Sequence, residues 1–456
     1  MAELSESYER LRAAHLHAVG AALEDHVARV DWPRERIDRY RTERLRGLLA
    51  YAKVRSPFHA GRMADLDPSS ATVDDLVRLE PMTKQDAQDE WDAIVTAPAL
   101  SRSEAERILA TERWFSYTPG ADQIFSSGGS SGVRGVYVWD WDAFVSFACL
   151  AWRMQAREDR RAPARIERPR LAVLEAGAPP HASTPLFDVP LRPDVETVVI
   201  PAATPFDELL EAVARARPTH LVGYASVIGG LARAALDQRL EIRPVRVSTN
   251  SEPLTEEDHE AIHDAWGAPL HNLWGSTEIG VQAVGCGHAD GLHVCEDEVI
   301  LERVDESGTP VGADQPAART LATGLANLTF PFIRYDLGDE VTLLSEPCPC
   351  GSSLARVSDI AGRSDDDFRY GAETIPASAF RHVLGTDPAI SEYQVRQTAG
   401  GADVLVVGDP EVPKLAMALV ESLARFGLTE PIINVIAVDR IDRHAATGKL
   451  RRFVPL

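Results

Sequence analysis

Between Arg170 and Gly280, short β-branched runs alternate with segments whose apolar residues recur at helical spacing. This alternation limits what the chain can fold into. RLAVLEA, ETVVIPA, THLVGYAS and VRVSTNSE read as strands, and FDELLEAVARA and GGLARAALDQ as helices. Strands separated by helices of this length run parallel, because a parallel return needs a crossover that a tight turn cannot span. After VRVST, the residues Ser251, Glu252 and Pro253 break the strand. Thr255, with Asp258 three residues on, starts a helix that Gly267 ends. PLHNLW then leads directly into Gly275, Ser276, Thr277 and Glu278. Two strands thus end in small polar turns on one edge of an α/β sheet, where such sheets bind ligands. A hydroxyl and a carboxylate beside a glycine suit a phosphate and its Mg²⁺. The same residues also make an ordinary loop, with Glu278 starting a helix.

The flanking stretches differ in texture. FSSGGSSGVRGVY, from Phe125 to Tyr137, is a loop opening into a strand. Its backbone N–H groups and serine hydroxyls can wrap a phosphate. No Gly-Lys-Ser/Thr follows, so it is not a Walker A loop, and a Gly/Ser linker has the same composition. Asp140 to Ala156 reads as an apolar, buried helix. Residues 1–100 read as charged helices that pack on the rest, one of them stopped at Ser56-Pro57. After Gly280, GLHVCEDEVILERVDESGTPVG predicts a hairpin turning at Glu306-Ser307-Gly308. ARTLAT, FPFIRYDLGDEVTLL and CPCG continue a barrel-like antiparallel subdomain over about 281–361. From Gly362 two helices and strand-like runs form a smaller α+β unit. The expectation is an α/β protein: a large N-terminal domain over 1–361, with parallel βαβ subdomains and the barrel-like one, and a small mobile C-terminal domain over 362–456.

At 456 residues the chain is too long for one ordinary core. Its net charge of −22 argues against a nucleic-acid or anionic-membrane surface, though an anionic substrate can still meet a locally positive site. No signal-like or membrane-spanning apolar run is present. Five widely spaced cysteines do not make a disulfide framework, which points to a reduced, cytoplasmic protein.

Taken together, the chain resembles the adenylate-forming ligases, the superfamily of acyl-CoA synthetases, luciferases and adenylation domains. The resemblance covers nearly the whole chain. It rests on a phosphate loop (Ser127 to Gly132), the turn Asn250 to Thr255, and Trp274 to Glu278. Arg334-Tyr335 to Asp339, Gly362 to Asp366, and Thr447 to Arg452 complete it in the family order. LLAYAKVRSPFHAGRM, GLHVCED and CPCG are most similar to the phenylacetate–CoA ligase branch.

The resemblance implies ATP-dependent activation of a carboxylic acid to an acyl-adenylate, release of pyrophosphate, and transfer to a thiol such as CoA. Ser126, Ser127, Gly128, Gly129, Ser130, Ser131 and Gly132 would hold the pyrophosphate. Ser251, Glu252 and Pro253 would border the adenine, and Trp274, Gly275 and Ser276 would belong to the ATP site. Thr277 would bond the α-phosphate, and Glu278 would take the Mg²⁺. Asp339 would accept from the ribose hydroxyls, as an acceptor-only carboxylate can. Arg363 would reach ribose and phosphate oxygens, and Lys449 would come over the site from a small domain that pivots near Asp365. Three features depart from the pattern. No proline or lysine follows Gly132, Trp274 replaces a tyrosine, and Asn250-Ser251 replaces Gly-Ala. They put substrate and efficiency in question more than fold. The acceptor stays open between CoA, a carrier protein and another nucleophile. A degenerate relative that binds a nucleotide or acyl ligand without turnover is a further alternative, and a homodimer is left open.

Two constellations remain. Cys286, His293, Cys348 and Cys350 predict a closed, structural Zn²⁺ site, with His288 or Cys295 as competing ligands. Reduced cysteines in turns are the alternative. Trp139, Tyr224, Ala225, Ser226 and Trp274 are candidates for an acyl pocket, and their aromatic character points to an aryl acid.

Overall fold

The computed structural model describes residues 2–111, 117–118, 120–126, 135–162, 166, 168–175, 195–312, 315, 317–358, 360, 366–371, 373–375, 377–384, 387, 389–443 and 450–456. Strands Glu196–Pro201, Arg170–Glu175, His220–Tyr224, Arg246–Asn250 and Leu270–Ser276 lie side by side in that order, all parallel. Alternate side chains face opposite cores, as the two-residue period of a strand requires. Leu171 and Val173 join one cluster, Ala172 and Leu174 the other. Helices Phe206–Ala216, Ala225–Leu236 and Glu256–Trp266 cover the second cluster, and helix Trp141–Arg161 covers the first. Helix Glu256–Trp266 has the predicted limits. The Thr255 side chain accepts from the Asp258 N–H, and Gly267 stops the helix at φ 57°.

The sheet then changes direction. Ser276 pairs with Gly280 across a tight turn, so the next strand, Gly280–Val284, can only run antiparallel. A Cβ on Gly275 would stand 2.9 Å from the Gly280 carbonyl oxygen, a contact no other residue tolerates. Leu292–Val294, Arg356–Val357 and Leu343–Leu344 continue outward, making nine strands in all. The antiparallel region is therefore shared between two sheets, since Val299–Val304, Arg319–Gly324 and Tyr335–Asp336 form a separate three-stranded one. The predicted hairpin is corrected accordingly. The chain turns at Asp305–Thr309, as predicted, but Val299–Val304 pairs along its length with Arg319–Gly324 and meets the near arm only at its end, through the Val304–Pro310 bridge and the Val311 N–H on the Arg303 carbonyl. The turn at Cys295–Val299 sends the preceding strand into the large sheet instead.

The N-terminal helices Ala2–Arg29 and Arg34–Arg55 are held by charge as well as apolar packing. Arg34 and Arg41 pair with Glu296, and Arg29 and Arg44 with Glu298. Arg153, inside the Trp141–Arg161 helix, donates to both oxygens of Asp297 at 2.9 and 2.8 Å. The acidic run after Cys295 is thus a buried socket for arginines.

Residues from Phe368 onward have a core of their own, including Phe368, Phe380, Leu419 and Phe453. Its four-stranded sheet runs in the order Ile432–Ala437, Gly401–Gly408, Ile390–Thr398, Phe453–Val454. Helices Ala377–Leu384 and Val412–Ala424 pack on it. No helix among the described residues is long and apolar enough to cross a membrane.

Candidate active site

The carboxyl ends of Arg170–Glu175, Arg246–Asn250 and Leu270–Ser276 meet, and polar side chains gather there. Asn250 Nδ2 donates to Glu175 Oε1 at 2.7 Å, with both residues buried. Asn250 Oδ1 is buried with no hydrogen-bond partner among the described residues. Ser251 follows at φ 63°, a left-handed conformation that few residues other than glycine adopt. Beyond this reversal, Glu252 Oε2 accepts from the Ser226 N–H at 3.1 Å and the Ser226 hydroxyl at 2.6 Å. Pro253 leads on to the Thr255 cap.

The neighbouring turn is more tightly fixed. Glu278 Oε1 accepts from the hydroxyls of Tyr137, at 2.7 Å, and Tyr335, at 3.1 Å. The Thr277 carbonyl accepts from the Trp139 indole at 2.9 Å. Ser276 Oγ accepts from the Ile279 N–H and from Gln282 Nε2. The Trp274 indole donates to Asp339 Oδ2 at 2.8 Å, so this tryptophan orients a carboxylate as well as walling the site. Trp139 also packs edge-on against Phe125 and Phe147, at 4.8 and 4.6 Å between ring centroids. Thr277 and Glu278 therefore sit on an aromatic bed in which Tyr137, Trp139 and Tyr335 turn their polar tips to the turn.

The small C-terminal unit closes on this edge. The Leu450 N–H donates to Glu252 Oε1 at 2.7 Å, and Arg443 bridges Ser226 Oγ at 2.8 Å and Glu392 Oε1 at 2.5 Å. Leu450 directly follows Lys449, which lies outside the described residues, as do Ser127 to Gly132, Arg363 and Asp365. Ser126 ends strand Gln123–Ser126 and is buried.

Other predicted residues have different surroundings. Tyr224 and Ala225 are wholly buried in the second core, and Ser226 serves Glu252 and Arg443. Arg334 turns away from the site at φ 56° and is buried against Glu302 and the carbonyls of Leu79 and Gly308. Tyr137 escaped sequence reading. It stands where the Phe125 to Tyr137 loop opens into a strand, and only the fold brings its hydroxyl to Glu278.

A second cluster lies apart. Cys286, His293, Cys348 and Cys350 are all buried, and their ligand atoms lie within 4.8 Å of one another. Cys286 and Cys348 sulfurs are 3.5 Å apart, and Cys350 Sγ is 3.4 Å from His293 Nε2. A tetrahedral zinc with bonds of about 2.3 Å needs sulfurs roughly 3.8 Å apart, close to this spacing. The hydrogen bond between Cys286 and Cys350 separates their titrations, raising Cys286 and lowering Cys350. The competing ligands stand elsewhere. His288 faces Glu158, and Cys295 lies beside Arg153 and Asp297, where burial pushes its thiol up to about 12.

Comparison with known proteins gives a consistent likeness. Phenylacetate–coenzyme A ligase of Thermus thermophilus is 23% identical over 372 residues, covering 80% of this chain and 78% of that protein. The crystal structure of 2-hydroxyisobutyryl-CoA ligase in the postadenylation state matches with a TM-score of 0.71 at 18% identity, over 93% of this chain and 90% of that one. The same ligase in the thioesterification state, with 2-HIB-AMP and CoA, gives 0.59 at 18% identity over 93% and 91%. No family model matches the chain.

Proposed function

We propose that this homologue of phenylacetate–CoA ligase, which has the fold of the adenylate-forming CoA ligases, activates a carboxylic acid with ATP and passes it to CoA. A carboxylate oxygen attacks the α-phosphorus and pyrophosphate leaves. The CoA sulfur then attacks the acyl carbonyl, its proton passes to solvent, and AMP leaves. The observation that carries this reading is the convergence at one sheet edge. The Thr277–Glu278 turn, Asp339 and Glu252 are each anchored there by polar donors, and the segment following Lys449 is docked on Glu252.

Each residue has a role that its chemistry permits. Thr277 offers a hydroxyl to the α-phosphate. Asp339, oriented by Trp274, accepts from the ribose. Arg363 suits phosphate and ribose oxygens, Ser126 to Gly132 the pyrophosphate, and Lys449 the charge that develops during attack. Glu278 fits a Mg²⁺ ligand, because both tyrosine hydroxyls bind one oxygen and fix the carboxylate plane. When bound, that ion spreads the phosphate charge. The small unit pivots near Asp365 between the two half-reactions. The higher TM-score against the postadenylation state, at equal coverage, supports an adenylate-forming arrangement here.

The aromatic bed of Trp139, Phe125 and Phe147 favours an aryl acid. ATP–pyrophosphate exchange over a panel of aryl and aliphatic acids tests the reading. Stimulation by an aryl acid is the expected result. ATP binding with no exchange on any acid would instead make the chain a non-catalytic nucleotide-binding relative.

The four-residue cluster holds one structural Zn²⁺, with no open position for catalysis. It pins the CPCG loop, whose Cys350 carbonyl accepts from Arg157 and Arg161 and whose Ser352 and Ser353 bond the turn at Val30–Trp32. Metal analysis of tag-free protein should find near-stoichiometric zinc, and Cys348→Ser should lower both zinc content and Tm. Full zinc retention in that variant would remove Cys348 from the site. Five unpaired cysteines suit a cytoplasmic setting.

A further inference from the structure

One carboxylate, outside the cluster described above, joins the two units of the molecule. Asp258 sits in the first turn of helix Glu256–Trp266 and is 1% exposed. Its Oδ1 accepts from Arg233 Nη1 at 2.9 Å, from the neighbouring helix of the same unit. Its Oδ2 accepts from Arg452 Nη2 at 3.0 Å, from the C-terminal unit. The two oxygens thus serve two arginines, one on each side of the boundary.

The surroundings are built for this contact. Gly229, inside helix Ala225–Leu236, faces the Asp258 carboxylate so closely that a Cβ there would lie 2.0 Å from Oδ1. Arg452 is tied to its own unit as well. Its carbonyl accepts from the Val395 N–H at 2.7 Å, and its guanidinium stands over the Tyr393 ring at 5.1 Å. A largely buried guanidinium without its carboxylate is costly, so parting Arg452 from Asp258 disfavours this orientation of the small unit. Arg452 lies two residues after Leu450, whose N–H rests on Glu252, so the latch and that contact hold the same stretch of the small unit.

We infer that Asp258 is a positioning residue: with Arg452 it latches the small unit in the adenylate-forming arrangement, and it must release Arg452 before the thiol step. This rests on the acyl-activating reading above. Among the described residues, Asp258 hydrogen-bonds to Arg233, Arg452 and Thr255 and to none of those assigned to ATP, so altering it reads position rather than chemistry.

The full chain tests the latch in two ways. Small-angle scattering compares the wild type with Asp258→Asn, Arg452→Gln and Arg233→Gln, each first shown to be folded by circular dichroism. The first two should give a more extended particle. Arg233→Gln should not, because it leaves Oδ2 to Arg452. Pyrophosphate exchange by Asp258→Asn should fall roughly tenfold or more, since a buried pair that loses one charge strands the other. Conversion of supplied acyl-adenylate and CoA to thioester should hold or rise. A purely structural role would lower both half-reactions together. If Asp258→Asn does not fold, Arg452→Gln against Arg452→Lys reads the same contact, with lysine restoring the compact form. Wild-type scattering and an unchanged ratio of half-reactions in both Asp258→Asn and Arg452→Gln would overturn the latch, as would equal opening by Arg233→Gln. Scattering that separates the variants as stated, in a wild type inactive in exchange, would keep the latch and reject the acyl-activating reading.

Discussion

Two sets of buried or half-buried carboxylates stand on the large sheet, and they are neutralised in opposite ways. Glu296, Asp297 and Glu298 meet arginines: Arg34 and Arg41, Arg153, and Arg29 and Arg44. Glu278 and Glu252 accept instead from neutral donors among the described residues, namely two tyrosine hydroxyls, a serine and backbone N–H groups. Asp339 takes an indole N–H. A carboxylate that faces a fixed guanidinium has its charge satisfied, and its work is structural. One held by hydroxyls and amides is oriented but keeps its charge, so it can still receive a cation or a ribose. The difference separates scaffold from site where residue type alone does not.

The sharpest way to break this comparison is to remove one acid from each set. Asp297→Ala leaves Arg153 buried and unpaired, and should cost about 3–5 kcal/mol of stability, read by denaturant unfolding. Glu278→Gln should leave unfolding nearly unchanged while abolishing most pyrophosphate exchange. Equal stability losses in the two variants would erase the distinction.

Lys449→Ala tests the missing cation on the site's side. It should lower acyl-adenylate formation by about 10²–10³, roughly 2.7–4 kcal/mol, as for loss of one charge-stabilising donor. Thioester formation from supplied acyl-adenylate should stay near normal if the small unit rotates. Wild-type exchange would make Lys449 a solvated tail residue. Asp339→Ala should weaken ATP binding by about 1.5–3 kcal/mol while sparing the acid. Calorimetric titration with unchanged ATP affinity would take Asp339 out of the site.

The smallest effect at neutral pH comes from histidines on the scaffold side. His26 lies beside Arg29 and Arg153, and burial followed by those charges lowers it to about 3. His59, buried near Arg62, is likewise lowered to about 3. A histidine lowered on folding binds its proton more weakly in the native state. Its contribution is therefore complete above about pH 6.5 and declines as pH falls from there towards about 3. Tm should fall progressively below pH 6.5, and His26→Leu should flatten that slope. An unchanged slope would show that His26 does not carry it.

Much of this arrangement is legible in the chain itself. The short continuous apolar run in RLAVLEA and the helical spacing of FDELLEAVARA specify strands and helices, and their alternation requires a parallel sheet. Thr255 and Gly267 bound their helix because capping depends only on residues a turn away. The ordered short motifs mark Thr277, Glu278 and Asp339 as candidates, and the thiol and imidazole side chains name a metal-binding set before any fold is known.

What only the tertiary structure decides is partnership. Tyr137 reaches Glu278 from 141 residues away, and Trp139 reaches Thr277 from 138. Arg153 finds Asp297 across 144 residues, and Arg452 finds Asp258 across 194. In the sequence these are a strand tyrosine, a tryptophan that is a candidate for the acyl pocket, a helix arginine and the last residue of the Thr447 to Arg452 motif, and none of them names its partner. Local patterns extend over two to four residues, the reach of a strand pleat or a helical turn. The partner that neutralises a buried charge depends on which surfaces the folded chain presses together, and no local period encodes that.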